Sequence, residues 1–95
     1  MARQEHLEII SPSGDVKFLK LDPAKGIVNI GRNPENDVVL EHPRVVPFHA
    51  VVDFRQKPYR VISLGSDGDL VVGGERLASN SPREFGPWDS FQLCG

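Results

Sequence analysis

This sequence predicts an all-β fold, a twisted β-sandwich assembled from short strands. Three observations carry that prediction. No window of about 11 residues keeps apolar side chains on an i, i+3, i+4, i+7 face without a Pro or Gly inside it. Apolar or alternating runs recur instead at a spacing of about 8–12 residues. Nine glycines and eight prolines supply the turns between them.

The elements follow in order along the chain. Leu7 and Ile9 alternate with Glu8, and Val16 and Phe18 alternate with Lys17. The intervening Ser11-Pro12-Ser13-Gly14-Asp15 is hairpin punctuation, so these two runs form a first hairpin. The turn-forming stretch 22–26 leads into Ile27–Ile30, and Val38–Leu40 follows a loop opened by Gly31. Phe48–Phe54 and Tyr59–Leu64 flank Arg55-Gln56-Lys57-Pro58, which reads as another hairpin. Leu70–Val72 and Phe91–Leu93 complete the series, and Ser79-Asn80-Ser81-Pro82 reads as a loop. Ile30, Leu40, Val51, Ile62, Leu64, Val72 and Leu93 are the expected core-facing residues. No strand–helix alternation, internal repeat or low-complexity tract is found in the sequence.

Ninety-five residues with 39% hydrophobic content support one core, so residues 1–95 are read as a single domain. The abrupt ending FQLCG gives the last apolar run no closing turn, which reads as a domain cut from a larger chain. A formal net charge of −2 offers no general attraction for nucleic acid or anionic lipid, so neither is an expected partner. Lys17, Lys20, Lys25, Arg55, Lys57 and Arg60 are interleaved with acids and read as a solvated surface. No apolar run reaches the roughly 18 residues of a membrane span, and the N-terminus lacks a secretory layout. The lone Cys94 cannot close an internal disulfide and fits a reducing, cytoplasmic setting; in a eukaryote a nuclear one would serve equally.

The most specific stretch is GRNPENDVVLEHPRVVPFHA, residues 31–50. Gly31, Arg32, Asn36, Asp37, Val38, Leu40, Val45, His49 and Ala50 match, without a gap, the Gly-Arg, Asp-Ile-x-Leu and Ser-x-x-His signature of a forkhead-associated (FHA) domain. Downstream, LGSDGDLVVGGERL resembles the family's Leu-Gly-Ser-Thr-Asn-Gly-Thr and Asn-Gly-x-x-Leu segments through Gly65, Ser66, Gly74 and Leu77. Phe85, Trp88, Asp89 and 91–95 stand where the family has its closing strand. Three blocks in order make a resemblance covering roughly Leu7 to Gly95.

The resemblance implies a sandwich of about 11 strands (FHA/SMAD-like) whose loops at one end grip a phosphothreonine peptide. It implies that Arg32 contacts phosphate, a role suited to an always-charged guanidinium with paired donors. It also implies that His49 props the loops beside Gly31. Other positions depart from the family. Val46 stands at the phosphate-binding serine, and Pro47 after it lacks even an N–H. Without a gap, Asp67, Gly68 and Asp69 replace Thr, Asn and Gly, so the peptide-holding asparagine is lost and two carboxylates would face a phosphate carrying about −1.5 to −2 charges. A one-residue gap would put Asp67 at the asparagine, with the same consequence. Losing two charge-assisted contacts of roughly 1.5–3 kcal/mol each would weaken binding by about two to four orders of magnitude.

The remaining candidates have plainer readings. Arg32 could pin its loop to backbone carbonyls, and His6 and His42 read as solvated. Tyr59 and Trp88 read as core. Asp67-x-Asp69 echoes a calcium loop, but Val71 and Ala78 occupy later ligand positions, so no metal or other cofactor is expected. Ser66 lacks a nucleophile elbow, so no catalytic residue and no enzyme are expected. Val45-Val46-Pro47-Phe48 would put apolar groups at a loop tip, as partner contacts do.

The sequence thus reads as an FHA-type protein–protein interaction module with a protein or peptide partner, phosphate-independent or weakened in phosphothreonine recognition. Its expected contact residues are Arg32, Asn33, Val46, Pro47, Ser66, Asp67, Gly68 and Asp69, supported by Gly31 and His49. The alternatives are an authentic phosphothreonine reader using Arg32 with compensating donors such as Ser66 or Asn33, and a structural spacer or intramolecular docking domain.

Overall fold

The fold is given by a computed structural model that describes residues 6–22, 24–86 and 89–93. The strands are β1 His6–Ile10, β2 Val16–Lys20, β3 Ile27–Gly31, β4 Val38–Val39, β5 Ala50–Asp53, β6 Tyr59–Ser63, β7 Leu70–Val72, β8 Glu75–Arg76, β9 Pro82–Phe85 and β10 Ser90–Leu93. No helix occurs among the described residues. One sheet runs β2-β1-β10-β7-β8, the other β4-β3-β5-β6-β9. Pairing is antiparallel except for β1 with β10 and β3 with β4.

Local chemistry explains the turns. In the β1–β2 hairpin the Ser11 N–H donates to the Asp15 carbonyl at 2.8 Å and the Gly14 N–H to the Ser11 carbonyl at 2.9 Å. Between β7 and β8, Gly73 and Gly74 both take left-handed backbone angles (φ 58° and 84°), as a tight primed hairpin turn requires. β9 and the two-residue β8 are not among the strands the sequence predicts. β8 is too short to show a period, and β9 opens with Pro82, which is tolerated because β9 is an edge strand.

Alternating burial then builds the core between the sheets. β1 contributes Leu7 and Ile9, β10 Phe91 and Leu93, β7 Leu70 and Val72, all fully buried. Val28, Ile30, Ala50, Val52 and Val61 face them from the other sheet. Phe85 of β9 and Phe91 of β10 meet edge-to-face across the sheets with centroids 4.9 Å apart, and Tyr59 and Phe54 extend this aromatic row.

Of the expected core set, Ile30, Leu40, Val72 and Leu93 are buried. Val51 and Ile62 are only half-buried on the outer face, and Leu64 is 40% exposed. The cause is the side-chain period of two. Val51-Val52 and Val61-Ile62 are apolar on both faces, so hydrophobicity cannot choose between registers. The pairing Val52↔Val61 and Ala50↔Ser63 turns the other set inward. Trp88 and Cys94 lie outside the described residues.

This register makes a direct prediction. Leu70→Ala should cost about 2–5 kcal/mol in urea melts, whereas Leu64→Ala should cost well under about 1 kcal/mol. Equal losses would contradict the assigned faces.

Candidate functional site

Four loops meet at one end of the sandwich: 32–37 after β3, 40–49 between β4 and β5, 64–69 between β6 and β7, and 77–81 after β8. The first two are joined through backbone groups. The Arg32 N–H donates to the Val46 carbonyl and the Asn33 N–H to the Pro47 carbonyl, both at 3.1 Å. Asn36, 7% exposed, adds its amide group, donating through Nδ2 to the Asn33 carbonyl at 2.8 Å and the Pro47 carbonyl at 2.7 Å. This approach is close enough that a Cβ on Gly31 would collide with the Pro47 carbonyl and with Asn36 Nδ2. Glycine is therefore required there by space.

His49 joins the second loop to the third. Its ring is fully buried. The Val46 N–H donates to Nδ1 at 3.2 Å, and Nε2 lies 2.8 Å from the Asp69 carbonyl oxygen. Because Nδ1 accepts and a carbonyl can only accept, the ring proton belongs on Nε2. The His49 backbone is also engaged, donating to Ile30 and accepting from the Leu64 N–H.

The third loop is closed by its own acids. The Asp69 carboxylate accepts the Ser66 N–H at 2.8 Å, and Asp67 accepts the Ser79 N–H of the fourth loop at 2.7 Å. The Gly68 N–H reaches the Leu77 carbonyl at 2.9 Å. Each carboxylate is thus engaged within the loop end, although a neutral N–H does not cancel its charge. Both are local caps for backbone N–H groups, the ordinary use of Asp in turns.

The expected residues thus share one end of the molecule, but differ in what they offer. Arg32 is exposed, and its guanidinium makes no hydrogen bond or ion pair among the described residues, so it does not pin the loop through carbonyls. Val46 is half-buried and its N–H is held by His49; the exposed apolar surface comes from Pro47 and from Phe48, 46% exposed. Asn33 turns its Oδ1 to the Glu35 N–H. His42, expected to be solvated, is half-buried and accepts the Arg44 N–H at Nδ1. Asn36 and Phe48 lie in the signature stretch, but spacing alone does not reveal their contacts.

Asp37 anchors the base of the first loop. It accepts the Asn29 N–H of β3 at 2.9 Å and pairs with Lys25 at 2.7 Å. The Lys25 partner and that N–H hold its carboxyl below the usual range. Much of the surrounding charge is similarly paired. Arg55 holds Asp53 down at about 2, and Lys17 donates to the Val39 carbonyl. The cleft of about 380 Å³ lined by Asp53, Arg55, Gln56, Pro58 and Arg60 belongs to the β5–β6 turn, at the other end of β5 from His49.

The architecture is thus a two-sheet β-sandwich with cross-linked loops at one end. The FHA domain profile matches residues 28–94, and the chain belongs to the FHA family. Among solved structures, EmbR of Mycobacterium tuberculosis in complex with a low-affinity phosphopeptide is 27% identical with a TM-score of 0.64, covering 96% of this chain and 22% of EmbR. This chain thus spans only a small part of EmbR. The FHA domain of CT664 from Chlamydia trachomatis is 20% identical with a TM-score of 0.63, covering 86% and 82% of the two chains. The N-terminal FHA domain of Rad53p from S. cerevisiae, in complex with a phosphothreonine peptide, is 16% identical with a TM-score of 0.67, covering 90% and 77%. No functionally curated protein matches the chain.

Two predictions test this geometry. His49→Ala should cost at least about 2 kcal/mol, because it strands the Val46 N–H and the Asp69 carbonyl. Amide exchange at Val46 should accelerate; an unchanged melting temperature would refute the role. Asp37→Asn should cost about 1 kcal/mol at neutral pH, screened by its partial exposure. Since the folded carboxyl titrates lower than the unfolded one, its contribution is present above the unfolded value and lost as pH falls through the folded value. The gap between wild type and variant in denaturant melts should therefore close below about pH 4.

Proposed function

We propose that this FHA domain is a peptide-recognition module whose end loops engage an anionic group through Arg32, with phosphothreonine dependence weakened relative to the family's usual mode. The carrying observation is the loop at Val46. Its side chain has no donor, its N–H is held by His49 Nδ1, and Pro47 has no N–H, so these two positions offer a phosphate no hydrogen bond where the family places a serine. The unpaired Arg32 guanidinium supplies charge, and Pro47 and Phe48 supply apolar contact beside it. The phosphopeptides bound by EmbR and by the Rad53p domain support a peptide as partner. The reading is of binding without a reaction.

A phosphate-dependent alternative is favoured by one observation, since the Asp67 and Asp69 carboxylates are turned to backbone N–H groups and oppose an anion less than their sequence suggests. Isothermal titration separates the two. A phosphothreonine peptide library and its unphosphorylated twin should bind the wild type with little difference. Val46→Ser should raise phosphopeptide affinity about tenfold or more by restoring one charge-assisted hydrogen bond. Strong phosphate discrimination by the wild type would establish the alternative. Silence from both proteins would contradict peptide recognition at these loops.

A further inference from the structure

The sequence motifs single out Arg32 at the recognition end, yet the fold also brings Arg76 beside the 66–69 loop. Arg76 stands on β8, opposite Val71 and two residues past the Gly73-Gly74 turn. An ideal Cβ on Gly68 would lie 3.5 Å from Arg76 Nη1 and 3.8 Å from its Cδ, so the guanidinium stem passes over Gly68, in the middle of the 66–69 loop. Gly68, at φ 84° and bonded to the Leu77 carbonyl, leaves that space open.

Arg76 is exposed, and its guanidinium has no hydrogen-bond or ion-pair partner among the described residues. The acids that could neutralise it are engaged elsewhere. Asp67 holds the Ser79 N–H, Asp69 holds the Ser66 N–H, and Glu75 pairs with Arg83 at 3.4 Å. The 66–69 loop is in turn fastened through His49 to the loop whose Val46 carbonyl receives the Arg32 N–H. Two unpaired guanidiniums are therefore carried by one bonded frame.

We propose that Arg76 is a specificity-determining residue, selecting peptides with a second anionic group, an acidic side chain or a phosphate, flanking the group held by Arg32. This rests on the peptide-recognition reading given above. A planar guanidinium suits a carboxylate or phosphate through paired donors, and its position at the surface makes its effect one of selection more than of total affinity. It also offsets the negative charge of Asp67 and Asp69 where a partner acid would approach.

The test uses fluorescence anisotropy with a phosphothreonine peptide series and an unphosphorylated series. In each, one Glu is walked through the flanking positions and compared with Gln at the same place. Wild type should prefer Glu over Gln at one or two positions by about two- to fivefold, the size of an exposed charge pair, and less at high salt. Arg76→Gln should abolish that preference while retaining affinity for the all-Gln peptides and the wild-type melting temperature. Arg32→Gln should weaken every peptide. If Arg32→Gln weakens binding but the Glu preference is absent, or survives in Arg76→Gln, this inference fails and the peptide reading stands. If no peptide binds the wild type, both fail.

Discussion

The recognition end depends on the buried imidazole of His49. It is fully buried although the β5 alternation turns residues 50 and 52, not 49, toward the core, and it is tolerated there because both ring nitrogens are hydrogen-bonded. One nitrogen receives the chain at Val46, the other grips it at Asp69, and the His49 backbone is stitched between Ile30 and Leu64. A loop within one sheet and the loop that crosses to the other thereby become one surface. Removing this ring would delete the side-chain link between the two loops, leaving each held only by its other hydrogen bonds.

Around that clamp, polar groups divide into those that build the loops and those left for a partner. Asp37, Asp67, Asp69, Asn33 and Asn36 satisfy backbone N–H or carbonyl groups. Arg32 and Arg76 satisfy none. At this loop end the guanidiniums of Arg32 and Arg76 are therefore the ones open to an anionic group. The same division explains why Val46 matters: its N–H already belongs to the His49 clamp, so only a side-chain donor at that position could add a contact.

Much of the fold is legible in the sequence because strand period, turn residues and motif order agree. Leu7, Ile9, Phe91 and Leu93 alternate with polar neighbours and are buried as alternation demands. Legibility ends where alternation ends. Val51-Val52 and Val61-Ile62 carry no preference for a face, and the sequence points Leu64 to the core although the register turns it outward. For the site, spacing locates Gly31, Arg32 and His49, but cannot report where a carboxylate points. Asp67 and Asp69 read as obstacles to an anion until the Ser79 and Ser66 N–H groups are seen beside them. Arg76 is not legible as a site residue because its proximity to Gly68 comes from the β7–β8 hairpin, and its two-residue strand has no readable period.

The most direct test of this account is long-range proton–nitrogen correlation NMR of the His49 imidazole, which reports the tautomer without altering the protein. A clamp between the Val46 N–H and the Asp69 carbonyl requires a protonated Nε2, with its proton slowed in exchange by burial, and a bare, accepting Nδ1. That pattern is the predicted result. A proton on Nδ1, or an Nε2 proton lost to rapid solvent exchange, would mean that His49 does not join the two loops, and the single recognition surface built on that joint would be contradicted.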